Sequence, residues 1–373
     1  MTFLFYLLTA LLFLWAGMTI AQLGYSLYSN HKRRLRADIR ARFRAALQQI
    51  YVDAGRPELV TADEVVSALR RIAGDERAIG RDVLVEFASR LEANEAKPLV
   101  DAYEMMGFVK QDIERLQKGY WQQRADAATR LGRIRCWSAI EVLNGALRDS
   151  DEEVRLAAVC ALAEIGDQYS IPAIVHALAG ANGWQVLQVS EKLLAMNADI
   201  SHIFLEMLNT SGAVKSRREA VIKTVLELIA DFGQRGSERL NLNAARTAAC
   251  QFIQSDQIDL RARAIRALAA VGIGTVEEFQ LLLAALSDKN WEIRAVAAKA
   301  LGQIGNLEAI PKLTEALTDE AWWVRHNSAQ ALTRMGQPGI AALRAQLDQE
   351  DRFAREIAKQ VLEELQLDAA SRA

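Results

Sequence analysis

The sequence has few of the residues that cross-link small domains, bind metals or interrupt helices. Its 373 residues include only three cysteines, five prolines and four histidines. Cys136, Cys160 and Cys250 each lie within an apolar helical pattern, and none belongs to a CxxC pair. We therefore expect reduced core thiols rather than a disulfide framework. The scarcity of proline, together with abundant alanine, favours helix throughout the chain.

Motifs for metals, phosphate and nucleotide cofactors are missing as well. The four histidines are dispersed and show no HxxxH spacing. There is no GxxxxGK[ST] loop, and no strand pattern that would carry a dinucleotide-binding GxGxxG turn. A cysteine–histidine pair stays open as an alternative, although Cys160 beside Ala161 on an alanine-rich helix is expected in the core. We predict no cofactor, no metal and no catalytic residues, so the chain is expected not to be an enzyme.

One long stretch near the N-terminus lacks charge altogether. Residues 3–28 contain no charged side chain and are long enough to cross a bilayer as a helix. The alternative is a cleaved secretory signal, which has basic residues before its apolar core, whereas here they follow it. We predict one transmembrane helix over residues 1–30 in the plasma (inner) membrane. Because positive charge collects on the cytoplasmic side, the N-terminus would lie outside and the rest in the cytoplasm.

Basic residues cluster directly after that stretch. Residues 31–50 contain seven lysines and arginines against one aspartate, a local charge of +6, so a net charge of −2 leaves −8 elsewhere. An apolar stripe recurs there at helical spacing in Leu35, Ile39, Phe43, Leu47 and Ile50. Residues 31–56 are therefore predicted to form a basic amphipathic helix. It either lies on anionic headgroups or packs its stripe on the first helices of the body. The side chains that would face lipid are Lys32, Arg33, Arg34, Arg36 and Arg40.

Residues 57–119 are predicted to be helical without repeating. The sequence Gly55-Arg56-Pro57 should end the basic helix. Thr61 and Glu64 have the spacing of a capping box for a helix that ends near Ala73. Further helical patterns cover residues 81–93 and 99–117. We expect this segment to act as an N-terminal cap or adaptor, because the apolar end of a repeat array must be covered.

The rest of the chain repeats itself. The segments that begin at Leu286 and Leu317 carry the same pattern at an offset of 31 residues. Most copies have an index arginine, a small residue three positions after it and an apolar residue seven positions after it. The third and seventh positions share one helical face. The pairs are Arg124/Leu131, Arg155/Leu162, Arg218/Val225, Arg261/Leu268, Arg294/Leu301, Arg325/Leu332 and Arg355/Leu362, with Val186/Leu193 in a degenerate copy. Such a period indicates units that bury their apolar faces by stacking on one another.

Carboxylates recur in register with the arginines. Asp149, Asp288 and Asp319 each precede an index arginine by six residues. At that spacing a carboxylate can cap the next helix and face the arginine of its own or a neighbouring repeat. Paired catalytic carboxylates would not be copied once per repeat, so a structural ladder is predicted. Its members are Asp149, Arg155, Arg261, Asp288, Arg294, Asp319 and Arg325.

The repeat resembles the HEAT-like family, in the short form shared with phycobilin-lyase-type repeats. Its pattern, D-x-x-x-x-V/I-R-x-x-A-A-x-A-L-x-x-I-G, is matched in full over residues 288–305 and with small departures over 149–166 and 319–336. The resemblance implies an all-α chain with a solenoid over residues 120–366, and residues 367–373 would form a tail. The spacing expands to 43 residues between Arg218 and Arg261, where residues 231–240 have the composition of a loop.

Tryptophan also recurs at one edge of the units. Trp291 and Trp322 stand three residues before an index arginine. Such a strip either binds a partner or seals the seam between repeats. Since adjacent helical residues cannot both face one core, Trp323 is the better candidate for exposure. The candidate partner-binding residues are Trp184, Trp291, Trp322 and Trp323.

These features predict a non-enzymatic scaffold at the cytoplasmic membrane face that recruits or regulates a protein partner, itself membrane-associated. One span, a basic flank and a HEAT-like body also resemble bacterial membrane-tethered HEAT proteins that accompany membrane glycosyltransferase or signalling machinery. The alternative is a HEAT-like repeat enzyme of the pigment-lyase or DNA-glycosylase type. Nucleic acid would require a continuous basic groove, whereas a mixed or acidic one favours protein. The arginines that decide this are Arg261, Arg263, Arg266 and Arg294.

Overall fold

The computed structural model describes the backbone of residues 2–73, 77–179, 183–196, 200–209, 215–236 and 240–371. Within these ranges, the side chains of residues 2–14, 16, 58, 73, 93, 183–184, 215–217 and 366–371 are not described. The chain forms two compact units, residues 1–142 and 143–373. The predicted boundaries at residues 119 and 366 stay predictions.

The first unit consists of helices, and the first of them is long. Their bounds are α1 Thr2–Ala54, α2 Ala62–Ala73, α3 Arg77–Ala88, α4 Ala93–Met105, α5 Phe108–Lys118 and α6 Trp121–Arg133. The next helix, α7 (Ile140–Ala146), contains the boundary between the two units. The predicted helix over residues 99–117 is in fact two helices, because Gly107 adopts a left-handed φ of 74° between α4 and α5.

The predicted membrane span is contradicted. In the part of the chain that the structure describes, no helix is both long and apolar enough to span a membrane. A bilayer core requires roughly 20 consecutive apolar residues. Before the first charged side chain, Lys32, the described side chains of α1 are those of residues 15 and 17–31. The expectation of a single-pass membrane protein with an outside N-terminus and a cytoplasmic solenoid is therefore wrong. The side chains of residues 1–14 and 16, on which much of it fell, lie outside the described residues.

The C-terminal part of α1 packs on α2 and α3. Phe43 and Leu47 are fully buried, and Arg44 donates two hydrogen bonds of 2.9 Å to the carboxylate of Glu86 on α3. At this end the apolar stripe therefore packs on the first helices of the body, which is the second of the two alternatives given above. Of the side chains predicted to face lipid, Lys32 is half-buried, while four are exposed: Arg33, Arg34, Arg36 and Arg40. A lipid contact for them stays a prediction.

The second unit alternates longer and shorter helices. Their bounds are α8 Glu152–Ile165, α9 Ile171–Leu178, α10 Gly183–Ala195, α11 Ile200–Asn209, α12 Lys215–Gln234, α13 Leu242–Cys250, α14 Ile258–Val271, α15 Val276–Ala285, α16 Trp291–Ile304, α17 Ile310–Glu315, α18 Trp322–Arg334, α19 Gln337–Ala345 and α20 Arg352–Ser371. We call the even-numbered helices α8 to α20 the long-helix layer and the odd-numbered helices α9 to α19 the short-helix layer. Each long helix contacts the next one along the series, which gives an all-α solenoid.

The predicted core positions are buried. The small residues three positions after the index arginines are fully buried, among them Ala158, Ala264, Ala297 and Ser328. Small side chains there let neighbouring helices approach closely, and a Cβ added to Gly302 of α16 would lie 2.6 Å from Ala331 of α18. Helices α8 and α16 end at Gly166 and Gly305, which have left-handed φ angles of 83° and 71°.

The prediction of a loop over residues 231–240 is wrong for residues 231–234. α12 extends to Gln234 and is 20 residues long, so residues 231–234 add a further turn to that helix. Residues 237–239 lie outside the described residues. The added turn carries Asp231 and Gln234 to the surface of the long-helix layer, where they line a cavity described below.

Candidate partner-binding surface

The index arginines are fixed by the turns that precede their own helices. Each donates a hydrogen bond through Nη1 to the main-chain carbonyl six residues earlier, over 2.6–3.0 Å. The arginines that share this geometry are Arg155, Arg261, Arg294, Arg325 and Arg355. A charge-assisted bond to a carbonyl is stronger than a neutral one. The start of each of these long helices is therefore held in one conformation by its own side chain.

Two of the predicted ladder pairs join consecutive repeats. Arg261 donates to Asp288 at 3.1 Å, and Arg294 donates to both carboxylate oxygens of Asp319 at 2.6 and 2.8 Å. Asp288 and Asp319 also accept a hydrogen bond from the backbone N–H two residues later, each at 2.8 Å. One carboxylate thus connects the arginine of one repeat with the start of the next helix.

The pair between Arg294 and Asp319 also sets the protonation of the carboxyl group. Burial raises the pKa of Asp319, but the hydrogen bonds from Arg294 and from the Ala321 amide outweigh it, so that its pKa lies below the usual value. The carboxylate is therefore ionised over the physiological pH range, as the ion pair requires.

The ladder ends in an aromatic contact. The position that carries aspartate in the turns before α8, α16 and α18 is Gln349 before α20, so the index arginine of α18, Arg325, has no carboxylate there. Its guanidinium instead lies 4.4 Å from the centre of the Phe353 ring. Arg325 is buried, and Phe353 is 47% exposed. Arg325 therefore contacts an aromatic ring where Arg261 and Arg294 contact a carboxylate.

Exposed tryptophans lie at this same edge. Trp322 begins α18 and is 44% exposed, and the adjacent Trp323 is 55% exposed. The Trp322 ring stacks on His326 at 4.8 Å between centroids with an interplanar angle of 15°, and Trp323 stands edge-on to Trp322 at 4.8 Å and 77°. We call Trp322, Trp323 and His326 the aromatic cluster.

The other two predicted tryptophans, Trp184 and Trp291, are not part of the aromatic cluster. Trp291 begins α16, the position that corresponds to Trp322 one repeat earlier, and is also partly exposed. The side chain of Trp184 lies outside the described residues. The aromatic cluster is therefore formed by Trp322 and Trp323, and sequence reasoning did not foresee His326 as its third ring. The signal was its spacing of four residues from Trp322, which places both on one helical face.

Charges on the long-helix layer are mixed rather than uniformly basic. Arg263 pairs with Glu227 of α12 at 2.7 Å and with Asp259 at 3.1 Å. Arg261 and Arg294 are held in the ladder. Arg266 is exposed and has no hydrogen bond or ion pair with the described residues. The continuous basic groove that nucleic acid would require is therefore not formed by these four arginines.

The thiol of Cys160 is not activated as a nucleophile. Burial raises the pKa of the Cys160 thiol, which keeps it protonated and weakly nucleophilic. In the described ranges, no three histidine, cysteine, aspartate or glutamate side chains are grouped to hold a metal ion. The expected lack of enzymatic activity stays a prediction.

A depression of the second unit lies apart from the long-helix layer. It has a volume of about 580 Å³ and lies between α7 and α9. Its lining includes Leu147, Arg148, Tyr169 and His176. Tyr169 is 83% exposed, which makes it an accessible aromatic ring outside the aromatic cluster.

The first unit holds a buried polar cluster that sequence reasoning missed. Asp112 on α5 is fully buried, accepts a hydrogen bond from the Tyr103 hydroxyl and binds Arg130 with its shortest contact at 2.7 Å. Arg81 of α3 lies 3.6 Å from the same carboxylate. Burial and the adjacent Asp112 raise the pKa of Tyr103 far above its usual value, so its hydroxyl stays a donor. The partners have no common spacing, so the sequence carries no signal for the cluster.

The comparisons with known proteins agree with the repeat pattern. The family model for HEAT repeats matches residues 111–195, 247–326 and 279–363, which together exceed half of the chain. No curated protein matches the chain.

Solved structures match only distantly. An engineered protein is 19% identical and has a TM-score of 0.36, with 89% of this chain and 94% of that chain covered. A computationally designed armadillo repeat protein for modular peptide recognition is 20% identical, with a TM-score of 0.35 and coverage of 61% and 100%. The complex of CpcE and CpcF of phycocyanin lyase from Nostoc sp. PCC7120 is 18% identical, with a TM-score of 0.29 and coverage of 69% and 94%.

Those TM-scores and identities are too low for the solved structures to indicate anything further about this chain. The repeat match, by contrast, extends from the end of the first unit through most of the second and coincides with the stacked long helices. The chain belongs to the family of HEAT repeat proteins.

Proposed function

We propose that this protein is a non-enzymatic scaffold that binds a protein partner through the aromatic cluster of α18. The observation that carries the proposal is the exposure of two adjacent indole rings, 44% for Trp322 and 55% for Trp323. Tryptophan is enriched among the few residues that dominate the energy of protein interfaces.

The degree of exposure separates this proposal from packing between repeats. A tryptophan that sealed a seam between two repeats would be buried, whereas about half of each ring in the cluster faces solvent. Burying the exposed half of an indole, about 100 Å² at about 25 cal/mol per Å², would contribute about 2 kcal/mol per ring. Two rings thus supply a substantial share of the free energy of a micromolar interaction.

The three rings also contact one another in the absence of a partner. His326 stacks under Trp322, and Trp323 is edge-on to both rings, at 4.8 Å from Trp322 and 6.4 Å from His326. Aromatic pairs in these arrangements attract each other beyond their burial. A preordered cluster loses little conformational entropy on binding, which favours affinity.

The enzyme alternative has less support. The thiol of Cys160 is kept protonated, and the carboxylates of the ladder are engaged with arginines and backbone amides. The charges of the long-helix layer are paired with one another across repeats, which suits a protein partner better than a polyanion.

The proposal is tested by panning a phage-displayed random peptide library on the full-length protein. The dissociation constant of each recovered peptide is then measured by isothermal titration calorimetry. We expect the double variant Trp322→Ala/Trp323→Ala to weaken binding by at least tenfold, and the control Tyr169→Ala to leave it unchanged. Circular dichroism checks that both variants remain folded. Recovered peptides that bind the double variant as tightly as the wild type, or a library that yields no binder, would contradict the proposal.

A further inference from the structure

A second, smaller cavity lies on the exposed face of the long-helix layer, away from the aromatic cluster. Its volume is about 170 Å³, and side chains of three consecutive long helices, α10, α12 and α14, line it. Part of the wall comes from Asp231 and Gln234, which lie in the last turn of the lengthened α12. The longer α12 of this repeat therefore contributes part of the wall of the cavity.

The floor of the cavity is apolar. Leu226 is fully buried beneath it, Ala230 lies one turn further along α12, and Leu187 of α10 reaches its edge. Leu187 is 42% exposed on an otherwise polar face. Together these side chains form a surface that an aliphatic group could cover.

The charged residues of the wall are paired within the described part of the chain, except for one. Glu227 pairs with Arg263 at 2.7 Å, and Asp231 accepts hydrogen bonds from Ser190 at 2.7 Å and from Arg235 at 2.9 Å. Arg266 is exposed and forms no hydrogen bond or ion pair with any residue in the described ranges. Among the charged side chains that line the cavity, Arg266 is therefore the one that has no ion-pair partner among the described residues.

The cavity places an apolar floor beside Arg266. Its volume is about 170 Å³, so an aliphatic side chain and the carboxylate that pairs with Arg266 must reach it close together. An internal aspartate or glutamate carries its carboxylate at the end of its own side chain and leaves no separate aliphatic group for the floor. A C-terminal aliphatic residue has both groups.

We propose that this cavity binds the free C-terminal carboxylate of a partner protein whose last residue is aliphatic. The guanidinium of Arg266 forms two parallel hydrogen bonds with the carboxylate, for which its fork of donors is suited. The aliphatic side chain lies on Leu187, Leu226 and Ala230. This assigns a second site, separate from the aromatic cluster.

The test measures fluorescence anisotropy of fluorescein-labelled pentapeptides titrated with the full-length protein. The probes are Gly-Ser-Gly-Ser-Leu as the free acid, the same peptide with an amidated C-terminus, and Gly-Ser-Gly-Ser-Ser as the free acid. We expect the leucine acid to bind most tightly, with both other peptides at least tenfold weaker. The variant Arg266→Gln should reduce the preference of the acid over the amide to less than twofold.

Two further variants keep the test specific. Lys299→Gln removes another exposed cation of the same layer, on α16, and should leave the preference unchanged. Ala230→Met should fill the floor and weaken the leucine acid without removing Arg266. Equal affinity for acid and amide in the wild type, or an undiminished preference in Arg266→Gln, would overturn the inference.

The double variant Trp322→Ala/Trp323→Ala distinguishes this inference from the proposed function. Binding of the leucine acid should be unchanged in it, because the aromatic cluster is not part of the cavity. Loss of binding there together with retention in Arg266→Gln would place the peptide on the aromatic cluster, which overturns the cavity and leaves the proposed function standing.

Discussion

Arg294 and Asp319 belong to consecutive repeats and form two hydrogen bonds of 2.6 and 2.8 Å, with 12% of each side chain exposed. The same arginine donates to the carbonyl oxygen of Asp288 in its own turn at 3.0 Å. One guanidinium therefore holds the turns of two successive units together. The position of α18, and of the aromatic cluster at its start, depends on this connection.

Removing the carboxylate should destabilise the second unit. In Asp319→Ala the mostly buried Arg294 keeps its charge without its main partner, and the expected loss is about 3 kcal/mol of unfolding free energy. Urea denaturation followed by circular dichroism measures it. Glu320→Ala is the matched control, because that side chain is 89% exposed and lies 3.6 Å from the same arginine, so its loss should be below about 0.5 kcal/mol. Equal effects of the two substitutions would contradict the prediction.

The same pair should make stability depend on acidity. Because the folded protein holds the pKa of Asp319 below its usual value, the stabilisation is complete above the unfolded pKa of about 4 and is lost as the pH falls through the folded value. The difference in unfolding free energy between the wild type and Asp319→Asn should therefore shrink on acidification below about pH 4. A difference that stays constant down to about pH 2.5 would show that the carboxyl pKa is not lowered.

Close helix packing gives a third prediction. A Cβ at Gly302 would lie 2.6 Å from both Cα and Cβ of Ala331, so Gly302→Ala must push α16 and α18 apart and should cost about 1–3 kcal/mol. A Cβ added to Gly145 of α7 would have no heavy atom within 4 Å, so Gly145→Ala should be neutral or stabilising by up to about 1 kcal/mol. Thermal unfolding of both variants measures the contrast. A neutral Gly302→Ala would mean that the two helices are not in close contact.

The buried cluster of the first unit supplies a fourth prediction. Asp112→Ala leaves Arg130 without the partner that holds it at 2.7 Å, and should destabilise the first unit by about 3–5 kcal/mol. Arg115, which is 42% exposed and 3.5 Å from the same carboxylate, provides the control Arg115→Ala, with an expected loss below about 1 kcal/mol. Hydrogen exchange of the α5 and α6 amides measures both, because it resolves one unit from the other. Unchanged exchange in Asp112→Ala would contradict the prediction.

The repeat could be predicted from the sequence because its constraints recur. The small residue at Ala297, the apolar residue at Leu301 and the helix end at Gly305 each answer a local steric requirement, and each is copied in other units. The spacing between Asp319 and Arg325 likewise located the turn before α18. It left open whether that carboxylate faces its own arginine or the neighbouring one, and the structure shows that it faces Arg294.

Features that occur once were harder to predict. The apolar composition of residues 3–28 predicts a membrane span, yet no helix in the described part of the chain is long and apolar enough to form one. Composition alone also does not reveal that the C-terminal part of α1 packs on α2 and α3. The cluster around Asp112 brings together residues from four helices with no common period. The composition of residues 231–240, which includes Gly233 and Gly236, predicts a loop, whereas α12 packs on α14 and continues through Gly233 to Gln234.

The most direct measurement is hydroxyl-radical footprinting with mass spectrometry on the full-length protein, with and without a saturating panned peptide. We predict that oxidation of Trp322 and Trp323 falls several-fold in the complex, whereas Tyr169 and Trp137, which are 83% and 60% exposed, react as before. Unchanged oxidation of Trp322 and Trp323 in a complex whose formation is verified by calorimetry would contradict the claim that a protein partner binds at the aromatic cluster.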